Sequence, residues 1–272
     1  MTRKALLVIL FFSICISANA QLDTIPLTLG KKLLLKSEIL NEKIETWLRL
    51  PTDFEKHKDS ISILVLLDGN EYFKIASDVT ELYEWSEKMP PTLIVGLPST
   101  VESRWKYYTP SNVPPRKEIN QKDSLLYLNS GKFEKYADFI DKELIQTLSK
   151  ELKTTFISKT IFGHSNGGLG VMSFYVLRPE IFDNYIAASP AILWDNYYLQ
   201  KQIGDDNKNK PIYMTIGNND WDYKHKSFET IREKLEKTND YFKFIKNSTY
   251  GHTNNGLPTL LEGLKYVYET KK

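Results

Sequence analysis

Along this chain, short unbroken apolar runs alternate with longer stretches in which apolar positions recur every three or four residues. The runs Ile61 to Leu67 and Thr92 to Leu97 read as buried strands of a parallel sheet, and Thr160 to Phe162, Tyr185 to Ala188, Ile212 to Ile216 and Phe242 to Ile245 supply further strands, the last with Lys243 between its apolar residues. Leu33 to Ile39 and Lys43 to Leu50, separated by the polar Asn41-Glu42, read as an antiparallel hairpin at one edge. Helical spacing fits 73–88, which Pro90-Pro91 ends, and 132–150, where Phe133, Tyr136, Phe139, Ile140 and Leu144 share a face. It also fits 167–177 and 257–268, whereas 51–60 and 98–130 read as irregular loops, with His57 simply solvated in the first. Strands alternating with helices predict α/β architecture: a mostly parallel central sheet, an antiparallel N-terminal hairpin and helices on both faces, in one domain over 21–272.

Residues 1–20 stand apart from that pattern. Arg3 and Lys4 precede an apolar run from Ala5 to Ile16, and Ala18-Asn19-Ala20 offers a small-residue cleavage site, so a signal peptide cut after Ala20 is expected. The mature protein would then be secreted or periplasmic, with no integral membrane segment. Cleavage lowers the formal net charge from +2 to 0, which leaves no basic field for nucleic acid. Cys15, the single cysteine, leaves with the leader, which excludes disulfides and a cysteine nucleophile. Phe12-Ser13-Ile14 before it is a poor lipoprotein signal, so anchoring through Cys15 is not expected.

In a parallel sheet of this kind, reacting groups gather at the C-terminal ends of the strands. There lies Gly163-His164-Ser165-Asn166-Gly167, a G-x-S-x-G pattern in which small residues two before and two after the serine allow a turn sharp enough to expose its hydroxyl. Chance alone would place such a pentapeptide in a chain this long about one time in ten, so its context matters. A serine needs a base, the base needs a carboxylate, and the chain order expected for this architecture is serine, acid, histidine. Ser165, Asp220 and His252 satisfy it; Asp222 is an alternative acid, and either aspartate could instead cap the next helix. Of four histidines, His57 lies on an early loop and His164 sits inside the elbow, its side chain expected to point away from that of Ser165. His225 begins a helix, which leaves His252, on a glycine-containing loop, as the best base.

For the developing oxyanion, the amide of Asn166 and the backbone of Gly69 or Asn70 are candidates, although Asp68-Gly69-Asn70 could equally be a plain turn. Trp105, Tyr107, Tyr108 and Trp194 are candidate substrate contacts, or aromatics that cover a core edge. Nothing in this chemistry calls for a metal or organic cofactor.

The chain resembles the esterase D-like group of α/β-hydrolases, which includes siderophore esterases of the enterochelin type, feruloyl and acetylxylan esterases, S-formylglutathione hydrolases and mycolyltransferases. The resemblance is carried by Leu66-Leu67-Asp68-Gly69-Asn70, Tyr108-Thr109-Pro110, Gly163-His164-Ser165-Asn166-Gly167-Gly168-Leu169, Arg178-Pro179-Glu180, Ser189-Pro190, Trp194-Asp195, Gly251-His252 and Glu262-Gly263-Leu264. It implies a serine esterase with Ser165 as nucleophile, His252 as base and the Asp68-Gly69 turn near the oxyanion. Lys106-Tyr107 stands where many relatives carry Arg-Asp, and the acid position varies in the siderophore-esterase branch. The expected function is hydrolysis of a small-molecule carboxylic ester through an acyl-enzyme, with siderophore, feruloyl or acetyl-sugar esters as implied substrates. Acyl transfer of the mycolyl type and a non-catalytic exported binding module are the alternatives.

Overall fold

A computed structural model describes residues 23, 25, 27–114, 121–204, 209–218, 220 and 222–269, with backbone only for 121–123 and 222–228. The expected leader with Cys15 and its cleavage site lie outside the described residues, as do the side chains of Asp222 and His225. Eight strands form one sheet: β1 (Lys31–Ser37), β2 (Glu42–Arg49), β3 (Ser62–Leu67), β4 (Thr92–Leu97), β5 (Lys159–His164), β6 (Asn184–Ala188), β7 (Ile212–Gly217) and β8 (Phe242–Asn247). Their order is β1-β2-β4-β3-β5-β6-β7-β8. The hairpin β1–β2 and its junction with β4 are antiparallel, and every other pairing is parallel. The helices are α1 (Phe54–His57), α2 (Gly69–Trp85), α3 (Val101–Tyr107), α4 (Gln121–Asn129), α5 (Phe133–Asp138), α6 (Gln146–Leu152), α7 (Asn166–Leu177), α8 (Trp194–Gln202), α9 (Asp222–Thr238) and α10 (Gly256–Glu269). A π-helical stretch, Phe139–Ile145, joins α5 to α6.

The apolar runs are continuous because each central strand feeds two cores, since successive side chains point to opposite faces. Ile63, Val65 and Leu67 of β3 pack with Tyr185 and Ala187 of β6 and with Phe139 and Phe174 on one face. Leu64 and Leu66 pack with Ile186, Tyr72, Phe73, Leu260 and Leu264 on the other. Phe174 is fully buried and meets Phe133 and Phe182 edge to face at 4.8 and 5.1 Å. Phe174→Ala is therefore expected to cost about 3–5 kcal/mol, read as a lower urea midpoint at unchanged slope.

The segment 98–130 departs from the irregular loop expected of it. It contains α3 and α4, and α3 opens with a reciprocal cap in which the Thr100 hydroxyl accepts from Ser103 N–H while Ser103 Oγ accepts from Thr100 N–H. This short helix sits beside the C-terminal ends of β3 and β5.

Candidate active site

The serine sits where β5 ends and α7 begins. Its backbone, at φ 58° and ψ −114°, is in a conformation that a side chain rarely adopts, and three backbone hydrogen bonds hold it there. Ser165 N–H donates to Ala188 O, while Ser165 O accepts from the N–H groups of Leu169 and Ala191. A Cβ at Gly163 would lie 2.3 Å from Gly167 O, so the glycine two before the serine is what lets strand and helix cross so closely.

The acid and the base come from two loops drawn together at the ends of β7 and β8. Asn218 N–H donates to Tyr250 O, and the backbone of 250–251 passes so near Gly217 that a Cβ there would meet Gly251 C at 2.7 Å. In consequence Asp220 Oδ1 lies 2.6 Å from His252 Nδ1, and His252 Nε2 lies 2.9 Å from Ser165 Oγ. The other carboxylate oxygen of Asp220 accepts from Ser189 Oγ and from Gly217 N–H, each at 2.9 Å. Asn255 Nδ2 in turn donates to Ser189 Oγ and Thr215 Oγ1, both at 2.8 Å. Burial pushes the Asp220 carboxyl up, but hydrogen bonds from His252, Ser189 and the Gly217 amide, with the His252 charge, outweigh it and hold it below the ordinary value. Nδ1–H donating to an ionised Asp220 leaves the Nε2 lone pair facing the serine hydroxyl, the tautomer a general base requires.

Asn166 is the first residue of α7, and Gly69 and Asn70 open α2, positions where backbone N–H groups lack helical acceptors. The side chain of Asn70 is engaged, since its Oδ1 accepts from Ser99 N–H at 2.9 Å. Asp68, fully buried, is ion-paired with Arg104, whose Nη2 donates to Oδ2 at 3.0 Å and whose Nε lies 3.0 Å from Oδ1 without hydrogen-bonding geometry. Burial pushes the Asp68 carboxyl up against the opposing pull of Arg104, Ser99 and Tyr108. Arg104 Nη2 also donates to His164 O at 3.2 Å, which ties α3 to the elbow.

The four aromatics fall into two environments. Trp105 and Trp194 meet edge to face at 5.2 Å, and Tyr127, not anticipated from sequence, closes the cluster at 4.8 Å from Trp105 and 5.9 Å from Trp194. All three are half-buried; in the chain Trp105 follows Arg104 and Trp194 comes three residues after Ala191, both of which hydrogen-bond the elbow. Tyr107 and Tyr108 require correction as substrate contacts: they are 5% and 2% exposed and pack on Tyr136 in the core. The Tyr108 hydroxyl accepts from Asp68 N–H instead of facing an open surface. Three residues after Trp194, Asp195 to Tyr197, take left-handed backbone conformations in succession.

His164 is 6% exposed, and burial is the main reason its pKa falls to about 4. The sign follows from linkage: between the ordinary value of 6.5 and about 4 the unfolded chain binds a proton that the folded chain refuses, so stability falls as pH falls through that window. The loss should approach about 3 kcal/mol. Denaturant titrations at a series of pH values should show it, and His164→Gln should flatten the slope.

Among the described residues no group of three or more His, Cys, Asp or Glu side chains could hold a metal ion, and no helix is long and apolar enough to cross a membrane.

Comparison with known proteins places this geometry in a family. Residues 37–255 match the family described as Esterase: Putative esterase. The ferri-bacillibactin esterase BesA of Bacillus subtilis is 28% identical over 197 residues, spanning 64% of this chain and 65% of that protein, just under two thirds of its length. A siderophore enterobactin esterase of Emericella nidulans is 29% identical over 147 residues, spanning 50% of this chain and 48% of its own. An IroE-like serine hydrolase from Shewanella oneidensis superposes with a TM-score of 0.78 at 23% identity, covering 88% of this chain and 80% of the other. The enterobactin esterase FES of Shigella flexneri superposes at 0.70 with 15% identity, covering 93% and 61%. The chain thus belongs to the Putative esterase family and has the α/β-hydrolase fold.

Proposed function

We propose that this protein hydrolyses a small-molecule carboxylic ester through an acyl-enzyme on Ser165, outside the cytoplasm after removal of residues 1–20. The observation that carries the reading is the continuous contact from Ser165 Oγ through the His252 ring to Asp220, at 2.9 and 2.6 Å. As Oγ attacks the ester carbonyl, His252 Nε2 takes its proton, and Asp220 stabilises the imidazolium and fixes its orientation. The carbonyl oxygen, now negative, accepts from Asn166 N–H and from the backbone N–H of Gly69 or Asn70. His252 then passes the proton to the departing alcohol, and a water deprotonated by the same nitrogen releases the acid and regenerates Ser165.

The relatives named for bacillibactin and enterobactin make a siderophore ester the first substrate to try. The cluster of Trp105, Tyr127 and Trp194 supports a flat aromatic acyl group, because such rings offer faces and edges for stacking. A panel of catecholate-lactone, feruloyl and acetyl-sugar esters should give kcat/KM at least tenfold higher for one aromatic ester than for the acetyl sugars. A preference for the acetyl sugars would move the substrate class. Where deacylation limits turnover, a pre-steady-state burst equal to the enzyme concentration is expected, and steady-state turnover that continues without an alcohol acceptor separates hydrolysis from acyl transfer.

A further inference from the structure

His164 lies one residue before the nucleophile, yet its ring serves the base. Its Nε2 is 2.7 Å from His252 O. A carbonyl can only accept, so His164 carries its proton on Nε2 and donates it. Two aromatic neighbours enclose the ring: His252 at 5.2 Å between centroids and Tyr72 at 6.2 Å. Tyr72 is itself pressed against the base loop, for a Cβ at Gly256 would come within 2.1 Å of its hydroxyl. The backbone carbonyl of His164 meanwhile accepts from Arg104 Nη2. One residue of β5 therefore presents Ser165 on its C-terminal side and grips the backbone of His252 with its own ring.

We infer that His164 is a positioning residue for the base: a neutral imidazole whose Nε2–H, donated to the carbonyl of His252, sets the distance between His252 Nε2 and Ser165 Oγ. The role rests on the reading of His252 as base given above. The loop 251–255 is pinned at its far end too, where Asn255 Nδ2 bonds Ser189 and Thr215, and within itself by Gly251 N–H donating to Asn254 Oδ1 at 2.8 Å. Those bonds fix the loop to β7 and to Asp220. The bond from His164 fixes it to the strand that leads into the nucleophile. The groups facing the ring are the His252 imidazole, the Arg104 guanidinium on α3, the Asp220 carboxylate beyond β7 and the Tyr72 phenol on α2. Burial, with the Arg104 guanidinium and the charge that forms on His252, outweighs the bond to the His252 carbonyl and opposes protonation, so the donor stays neutral and does not repel the imidazolium that forms at His252.

Three variants separate positioning from general packing. His164→Leu fills the space and deletes the donor, whereas His164→Gln places an amide N–H near the position of Nε2. His164→Leu should lower kcat by about 10–100-fold with KM changed less than threefold, the scale of a misplaced catalytic group. His164→Gln should recover most of that loss. Phe139→Leu, in the core on the opposite face of the sheet, serves as a variant of comparable thermal destabilisation that keeps kcat. Equal kcat for His164→Leu and the wild type, or no recovery in a folded His164→Gln, overturns the role. A measurement on the unmodified protein needs neither variant: the 15N spectrum of the histidine rings should show His164 as the Nε2–H tautomer, unprotonated from pH 8 down to about pH 5. An Nδ1–H tautomer, or protonation near the ordinary value, overturns it as well. If instead the wild type neither hydrolyses esters nor reacts with a fluorophosphonate, the assignment of His252 as base fails, while the ring tautomer remains separately readable.

Discussion

Ser165→Ala should lower kcat by about a million-fold on any ester the protein accepts, the scale seen when a triad nucleophile is deleted. It should also abolish labelling by a fluorophosphonate probe. The variant should remain folded, because what holds the elbow is backbone: the bonds to Ala188, Leu169 and Ala191 use no side-chain atom of Ser165. A lost hydroxyl is then the only chemical change at a site whose acid and base keep their 2.6 Å contact. His252→Ala should cost nearly as much, and the double variant no more than either alone, because nucleophile and base act in one step. Intact-mass spectra of the probe-treated protein give a direct readout. A probe adduct that survives Ser165→Ala, or one mapped to another serine, would end the assignment.

Much of this arrangement is legible in the sequence, for reasons that differ from one residue to the next. Five strands, β3 to β7, stand out as apolar runs because they are buried on both faces, the hairpin is marked by its own polar turn, and the edge strand β8 shows only Phe242, Phe244 and Ile245 between lysines. Ser165 stands out because a close crossing of β5 and α7 tolerates only glycine at 163, where a Cβ would collide with Gly167 O. The pairing of Asp220 with His252, by contrast, depends on Gly217 letting one loop pass over another, which no local pattern encodes.

What the sequence hides is mostly settled by partners far along the chain. Tyr107 and Tyr108 look like any loop aromatics until Tyr136 stacks on the first at 4.9 Å and lies 5.9 Å from the second. α3 escapes notice because its reciprocal cap pairs Thr100 with a serine, in place of the Glu or Gln that makes such boxes recognisable. Arg104 reads as one more charge in a polar segment, and the buried Asp68 and the His164 carbonyl on neighbouring strand ends give it a fixed place. His164 is the subtler case: its strand position predicts burial, but not that the ring would reach the carbonyl of a residue 88 positions later.

Asp220→Asn should lower kcat by about 10⁴-fold, the effect of forcing a catalytic histidine into the wrong tautomer. The surrounding hydrogen bonds dictate how the amide must sit. Ser189 Oγ accepts from Asn255 Nδ2, so its own proton is the one given to Asp220 Oδ2, where Gly217 N–H also donates. Both donors need an oxygen at that position, which leaves the amide NH₂ of the variant facing His252 Nδ1. The ring can then only accept there, its proton moves to Nε2, and the lone pair that should receive the serine proton is gone. Binding surfaces are untouched, so KM should change little, and the fluorophosphonate reaction should slow in proportion to kcat. The native carboxyl is held below its ordinary value, so the stability it contributes is present above the unfolded carboxylate range, about pH 4, and is lost as pH falls through its folded value. The Asn variant should lack that acid-side dependence. Asp222→Asn is the comparison, and it should retain at least a hundredfold more activity than Asp220→Asn; the opposite ranking would transfer the role to Asp222, and equal, small effects would leave Ser165 and His252 working as a dyad.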